Sequence, residues 1–132
     1  MTLGVRVLVL RGTDEVLLVR HTYRHGWFLP GGGVDRGPET LQDAATRELH
    51  EEAGISIPEV TLVGVYSNLT RIQNDHVVLF TARFEGEPGE HDHEIAEAAF
   101  FPLTALPQDL HRTTARRIEE LRTGNQPQVG RW

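Results

Sequence analysis

The side chains best placed to do chemistry lie between residues 33 and 55. They read Gly33, five residues, Glu39, seven residues, Arg47-Glu48-Leu49, one residue, Glu51-Glu52, one residue, Gly54-Ile55. On a helix of about 3.6 residues per turn, Leu41, Ala45 and Leu49 form one stripe. Glu48 and Glu52 fall beside that stripe and Glu51 slightly further round, while Asp43, Thr46 and His50 carry the solvated face. Three adjacent anions at the edge of a core repel one another and lose hydration, which is costly unless cations compensate. Arg47 neutralises only part of that charge. Mg²⁺ or Mn²⁺, hard ions that prefer carboxylate oxygens, suit the remainder. An ordinary ion-paired helix face would not need a glycine turn at this fixed distance.

Clustered carboxylates with divalent metal suit hydrolysis of a diphosphate linkage. Its phosphorus is shielded by negative oxygens, so cleavage needs charge neutralisation, an aligned water and a base.

These groups need a scaffold. Pro30-Gly31-Gly32-Gly33 reads as an irregular, tight segment that brings the main chain close to a ligand. Gly37-Pro38-Glu39 reads as a helix start, the helix running to about Ala53 with Gly54 as its cap. Residues 5–10 and 16–19 read as strands joined by a turn at 12–15, and residues 27–29 as a short strand. Further strands are expected at 60–66, 76–84 and 99–101. A last helix is expected at 113–122, with Ile118 and Leu121 inward and Gly124 ending it. Strands plus two helices on a mixed sheet give an α+β fold or an α/β/α sandwich.

The run at 33–55 resembles the signature of the Nudix hydrolases, the MutT-like proteins, at all nine of its defined positions. A chance match is on the order of one in a million or less. Trp27-Phe28-Leu29-Pro30-Gly31-Gly32 is similar to the family's lead into that box, and Phe100-Phe101-Pro102-Leu103 with Leu106-Pro107 to its aromatic-proline stretch before the last helix. The resemblance decides for an α/β/α sandwich with a mixed sheet between helices. It implies a metal-dependent pyrophosphohydrolase acting on a nucleoside diphosphate linked to another group, such as a nucleoside triphosphate, ADP-ribose or a nucleotide sugar. It further implies that Glu48 and Glu52 bind Mg²⁺ or Mn²⁺, that Glu51 shares this role or holds a second ion, and that the Gly32 carbonyl completes a coordination sphere. Arg47 then orients the glutamates, and Glu39 stabilises the join of loop and helix. The general base is Glu48, or Glu94 in His91-Asp92-His93-Glu94, which matches the place of an additional catalytic or metal-binding glutamate; Glu97 competes in a different loop register.

Substrate recognition must come from outside the box. His21, Tyr23, Arg24, His25 and Trp27 precede the glycine turn and can supply a stacking ring or a phosphate contact, Trp27 being more readily a core residue. Tyr66, Asn68 and Arg71, followed by Asp75 and His76, are expected at a strand end facing the same cleft. In the family, a proline about sixteen residues beyond the box accompanies ADP-ribose use, and a tyrosine slightly further accompanies dinucleoside polyphosphates. Arg71, Ile72 and Gln73 hold those places here, so neither marker is present. The alternative is a nucleotide-binding or sensing module with little turnover, but such a protein has no reason to keep Arg47 and all three glutamates.

Composition agrees. A chain of 132 residues with 39% hydrophobic content suits one domain over residues 1–132. Without cysteine, disulfides and thiolate chemistry are excluded. All 13 basic side chains are arginine, and the net charge of −6 argues against broad nucleic-acid binding and for a small nucleotide-type substrate held by metal and local arginines. No apolar run approaches a membrane span and no leader pattern opens the chain, so a cytoplasmic protein with no membrane partner is expected. The arm from 124 to 132 either packs on a partner in a homodimer or folds back on its own subunit.

Overall fold

Strand signals and glycine punctuation translate into a computed structural model that describes residues 1–34, 37–126 and 128–132. Positions 35 and 36 of the box and 127 of the C-terminal arm lie outside the described residues. The elements are β1 (Thr2–Arg11), β2 (Glu15–His21), β3 (Trp27–Phe28), β4 (Gly31–Gly33), α1 (Leu41–Ala53), β5 (Thr61–Leu69), β6 (Asn74–Arg83), β7 (Ile95–Pro102), α2 (Arg112–Thr123) and β8 (Val129–Arg131). The strands form one mixed sheet ordered β3-β2-β1-β6-β5-β8, with β4 paired to β1 and β7 to β2. The β1–β6 and β5–β8 pairs are parallel; β5–β6 and β1–β4 are antiparallel.

Alternation along β1 divides the core. Val5, Val7 and Val9 pack with Ala44, Ala45, Leu49 and Ala53 of α1, while Leu8 faces the other way into a second cluster with Leu79, Tyr66 and Ile118 of α2. One helix thus covers each face, as expected for an α/β/α sandwich. Trp27 belongs to the second cluster. Among the described residues, no helix is long and apolar enough to cross a membrane.

Two local expectations need correction, and one open alternative is decided. The glycine turn is not irregular: Gly31–Gly33 is a strand registered against residues 4–6. Glycine is required there because a Cβ on Gly31 would collide with the Val5 carbonyl, so only a bare backbone pairs this closely. Helix α1 begins at Leu41 and not at the Gly37-Pro38-Glu39 segment, because the Thr40 hydroxyl accepts the Asp43 N–H at 3.0 Å and caps the helix there. Finally, the C-terminal arm folds back: β8 pairs with β5, and the Trp132 N–H donates to the Ser67 carbonyl at 2.9 Å.

Candidate active site

Helix α1 presents its acidic edge to β4. Leu49, Ala45 and Ala53 are drawn into the core, and the helical repeat carries Glu48 and Glu52 into burial beside them, at 8% and 7% exposure, while Glu51 stays half-buried. The Gly31 N–H donates to Glu52 Oε1 at 2.9 Å, and His21 Nε2 of β2 lies 3.6 Å from Glu52 Oε2. At Gly32, a Cβ would fall 2.7 Å from the Glu48 carboxylate, so the bare glycine backbone is what admits that side chain.

Arg47 ties these groups together. Its guanidinium makes a forked contact with Glu39, at 2.7 and 3.1 Å, and reaches Glu48 at 2.9 Å and Glu51 at 3.5 Å. It also donates to the Gly33 carbonyl at 3.2 Å. Hydrogen bonding to Glu39, and then to Glu48, raises its pKa above the ordinary arginine range. Glu39, left outside the helix, therefore anchors the loop before α1 to Arg47.

The remaining electrostatics favour a cation. Burial pushes the Glu48 carboxyl above the ordinary glutamate range; the Arg47 hydrogen bond opposes the shift, and the charge of Glu52 adds to it. One arginine cannot balance Glu39, Glu48, Glu51 and Glu52. Among the described residues, no three carboxylate or imidazole groups converge on a common point in this arrangement, Glu48 being turned to Arg47 and Glu52 to Gly31. In donor chemistry the residues nonetheless fit a hard divalent ion: the side chains offer only oxygen, carry surplus negative charge and stand beside backbone carbonyls.

Next to the cluster opens a pocket of about 350 Å³ lined by Gly32, Gly33, Arg6, Arg24, Asn68 and Trp132, among others. Arg6 on β1 was not singled out by sequence reasoning. Its stem packs over Gly31, and burial lowers its pKa while the charges of Glu52 and Glu48 act the other way. The available signal was an arginine inside a strand of Val and Leu, but its face depends on register. The Arg24 guanidinium sits 3.7 Å above the Phe28 ring. Tyr23 is exposed beside His21 and lies in the field of Arg24, Glu52 and Glu94.

Other expected residues are distributed unevenly. Glu94 is exposed on the loop before β7, which is fastened to the end of α1 by hydrogen bonds from Asp92 N–H to the Glu51 carbonyl, 2.8 Å, and from Gly89 N–H to the Ala53 carbonyl, 2.9 Å. Glu97 lies on β7 instead, in a 3.2 Å ion pair with Arg20. Tyr66 does not face the cleft. It is fully buried in the α2-side core, its ring 4.3 Å from the Arg117 guanidinium and 5.6 Å from the Trp132 ring, because that face of β5 is covered by α2. Asn68, Asp75 and His76 line the pocket; Arg71 lies on the exposed β5–β6 turn and is not among its lining residues. His25 is exposed, 3.6 Å from Asp109.

The NUDIX domain family model matches residues 1–121. Over 95% of its length, the chain is 30% identical to a candidate 8-oxo-dGTP diphosphatase of Bacillus subtilis, spanning 83% of that protein. It is 34% identical to an ADP-ribose pyrophosphatase of Methanocaldococcus jannaschii, over 76% of this chain and 62% of that one. A MutT NUDIX hydrolase from Burkholderia pseudomallei superposes with a TM-score of 0.78 at 27% identity, covering 91% of this chain and 97% of the other. Motif, sandwich and relatives agree, and the chain belongs to the Nudix hydrolase family.

Proposed function

We propose that residues 1–132 act as one domain, a metal-dependent pyrophosphohydrolase that cleaves the diphosphate linkage of a nucleoside diphosphate joined to another group, by attack of water on phosphorus. The observation that carries this reading is the buried pair Glu48 and Glu52, held against the glycine strand whose Gly32 and Gly33 line a pocket with Arg6 and Arg24. The names of the relatives support it, since ADP-ribose and 8-oxo-dGTP both contain a nucleoside diphosphate unit.

Glu48, Glu51 and Glu52, with the Gly32 carbonyl and Glu94, are the groups that would hold Mg²⁺ or Mn²⁺. When bound, the ion supplies charge neutralisation at phosphorus and a more acidic water. Arg47 keeps Glu48 and Glu51 from splaying apart. The Gly31 N–H fixes one oxygen of Glu52 and His21 packs near the other, so this carboxylate is preorganised. Arg24 and Arg6 line the pocket and pair with substrate phosphate oxygens, with Asn68 beside them and the exposed Tyr23 next to His21 as a further contact. The proton of the attacking water passes to Glu48 or Glu94. Glu48 suits a base because burial raises its basicity. The absence of cysteine is in keeping with a cytoplasmic site of action.

The test is phosphate release, coupled to a phosphatase, across nucleoside triphosphates, ADP-ribose, nucleotide sugars, CDP-alcohols and dinucleoside polyphosphates, with Mg²⁺, Mn²⁺ or EDTA. Metal-dependent turnover of one class is expected. Tight nucleotide binding without turnover of any member would replace the hydrolase by a nucleotide-sensing module.

A further inference from the structure

The arginines fall into two populations. Arg11, Arg20, Arg47, Arg83, Arg117 and Arg122 each pair with a carboxylate. Among the described residues, Arg6, Arg24, Arg71, Arg112, Arg116 and Arg131 make no such pair. All of the second group except Arg71 line two adjoining pockets. Arg6 and Arg24 line the one beside Gly32, and Arg112, Arg116 and Arg131 line another of about 240 Å³. The two meet at Asn68 and Trp132, which line both. Asp75, the one acidic side chain among these lining residues, accepts a hydrogen bond from Thr2.

In an acidic chain, five arginines lining adjoining pockets with no ion pair of their own among the described residues create a local positive potential that draws in an anion, although Glu52 and Glu48 offset part of the charge of Arg6. Burial and the charges of Arg24, Arg112 and Arg6, in that order, push the His111 imidazole below its ordinary range, so arginines of both pockets act on one ring. The cations are also held in place: Arg24 lies over Phe28, and Arg116 donates to the Trp132 carbonyl at 3.3 Å. Guanidinium forks match phosphate oxygens better than they match a neutral sugar.

We propose that the ligand is a small nucleotide carrying a second phosphate on the far side of its ribose from the scissile diphosphate, and that Arg112, Arg116 and Arg131 receive that phosphate. This rests on the hydrolase reading for the end of the ligand beside Gly32. The diphosphate lies against Arg6 and Arg24, the nucleoside crosses at Asn68 and Trp132, and the second phosphate enters the α2-side pocket. The two pockets suit a small molecule more than a nucleic-acid strand, because among the described residues the one other arginine without an ion pair, Arg71, stands apart on the β5–β6 turn.

The experiment is a metal-free calorimetric titration of the full chain with nucleoside 5′-monophosphates and the corresponding 3′,5′- and 2′,5′-bisphosphates of all four bases. The second phosphate should tighten binding about tenfold or more, a difference of about 1.4 kcal/mol. In an Arg112→Gln/Arg116→Gln double variant this advantage should fall below about threefold. Arg122→Gln, on the same helix but paired with Glu119, should keep it. Equal affinities with and without the second phosphate, or an advantage that survives the double variant, would overturn the proposal. So would tighter binding of a 5′-phosphorylated trinucleotide, which would assign the trough to a strand. A bisphosphate preference without turnover of any substrate leaves the trough standing and removes the hydrolase reading; turnover without the preference does the reverse.

Discussion

At the scale of single residues, Glu52 accepts a hydrogen bond from the Gly31 N–H, has His21 3.6 Å away on another strand, and lies 7% exposed against the core. Glu52→Gln keeps the shape and the acceptor for Gly31 but removes the charge. The expected result is a loss of at least about a hundredfold in kcat with a metal-free urea midpoint no lower than the parent's, because the charge is needed where the transition state develops its own and not for the fold. Activity within a few-fold of the parent would remove Glu52 from the chemistry. His111 offers a pH test. Its ring is stacked on Phe28 and lowered in pKa by burial first and then by nearby arginines, so the unfolded chain takes up its proton at a higher pH than the folded one. Stability is therefore greatest above the ordinary histidine range and falls as pH drops through the window between that range and the lowered folded value. His111→Asn retains an N-cap for α2 while removing the titration. Its urea midpoint should fall less than the parent's between pH 8 and pH 5, and parallel profiles would contradict the assignment. The box glutamates and Arg47 were legible as a spaced pattern of charge. Arg6 was not, since only the register of β1 against β4 decides that it leaves the strand beside Glu52 and Arg24.

At the scale of elements, the places where the sequence was readable are those with local physical signals. The alternation of Val and Leu in β1, the αL glycines Gly54 and Gly124, and the β-branched run of β6 each act within a few residues, and each element appears within about three residues of its expected bounds. What was not readable depends on partners distant in sequence. Three consecutive glycines read as an irregular, tight turn until β1 is laid against them, and Tyr66 read as a cleft residue until α2 covered it. Gly54 has both kinds of constraint. It is left-handed at φ 64°, and a Cβ there would collide with the backbone of Gly89 and Glu90. The conformational penalty of a Cβ in the left-handed region is about 1 to 2 kcal/mol, and the collision adds to it. Gly54→Ala should thus lower stability by more than about 2 kcal/mol and disturb the loop that carries Glu94, reducing kcat as well. If Gly54→Ala loses stability only by the backbone increment and keeps full kcat, the loop does not depend on its seat at the end of α1.

At the scale of the whole molecule, the sheet keeps two chemistries on its two faces. Helix α1 brings surplus carboxylate to β4, while α2 and β8 bring arginines, without ion pairs among the described residues, to a pocket that shares Asn68 and Trp132 with the one beside Gly32. Helix α2 also secures β8: the buried Arg117 donates to the Arg131 carbonyl at 3.2 Å and lies between the rings of Tyr66 and Trp132. The carboxylates at the α1 edge repel one another in the folded chain more than in an unfolded one, where they are far apart and hydrated. An ion that binds the folded form alone therefore stabilises the entire domain by mass action. At free Mn²⁺ about a hundredfold above its dissociation constant the gain is about 2.7 kcal/mol, which for a chain of this length raises Tm by roughly 8 °C. Glu52→Gln should lose most of that increment, and EDTA should abolish it in the parent. Scanning fluorimetry of both proteins over a Mn²⁺ and Mg²⁺ series separates the outcomes. A concentration-dependent rise confined to the parent ties the metal to this edge of the sheet, whereas an equal rise in both proteins would put the ion elsewhere and leave Glu52 with no part in holding it.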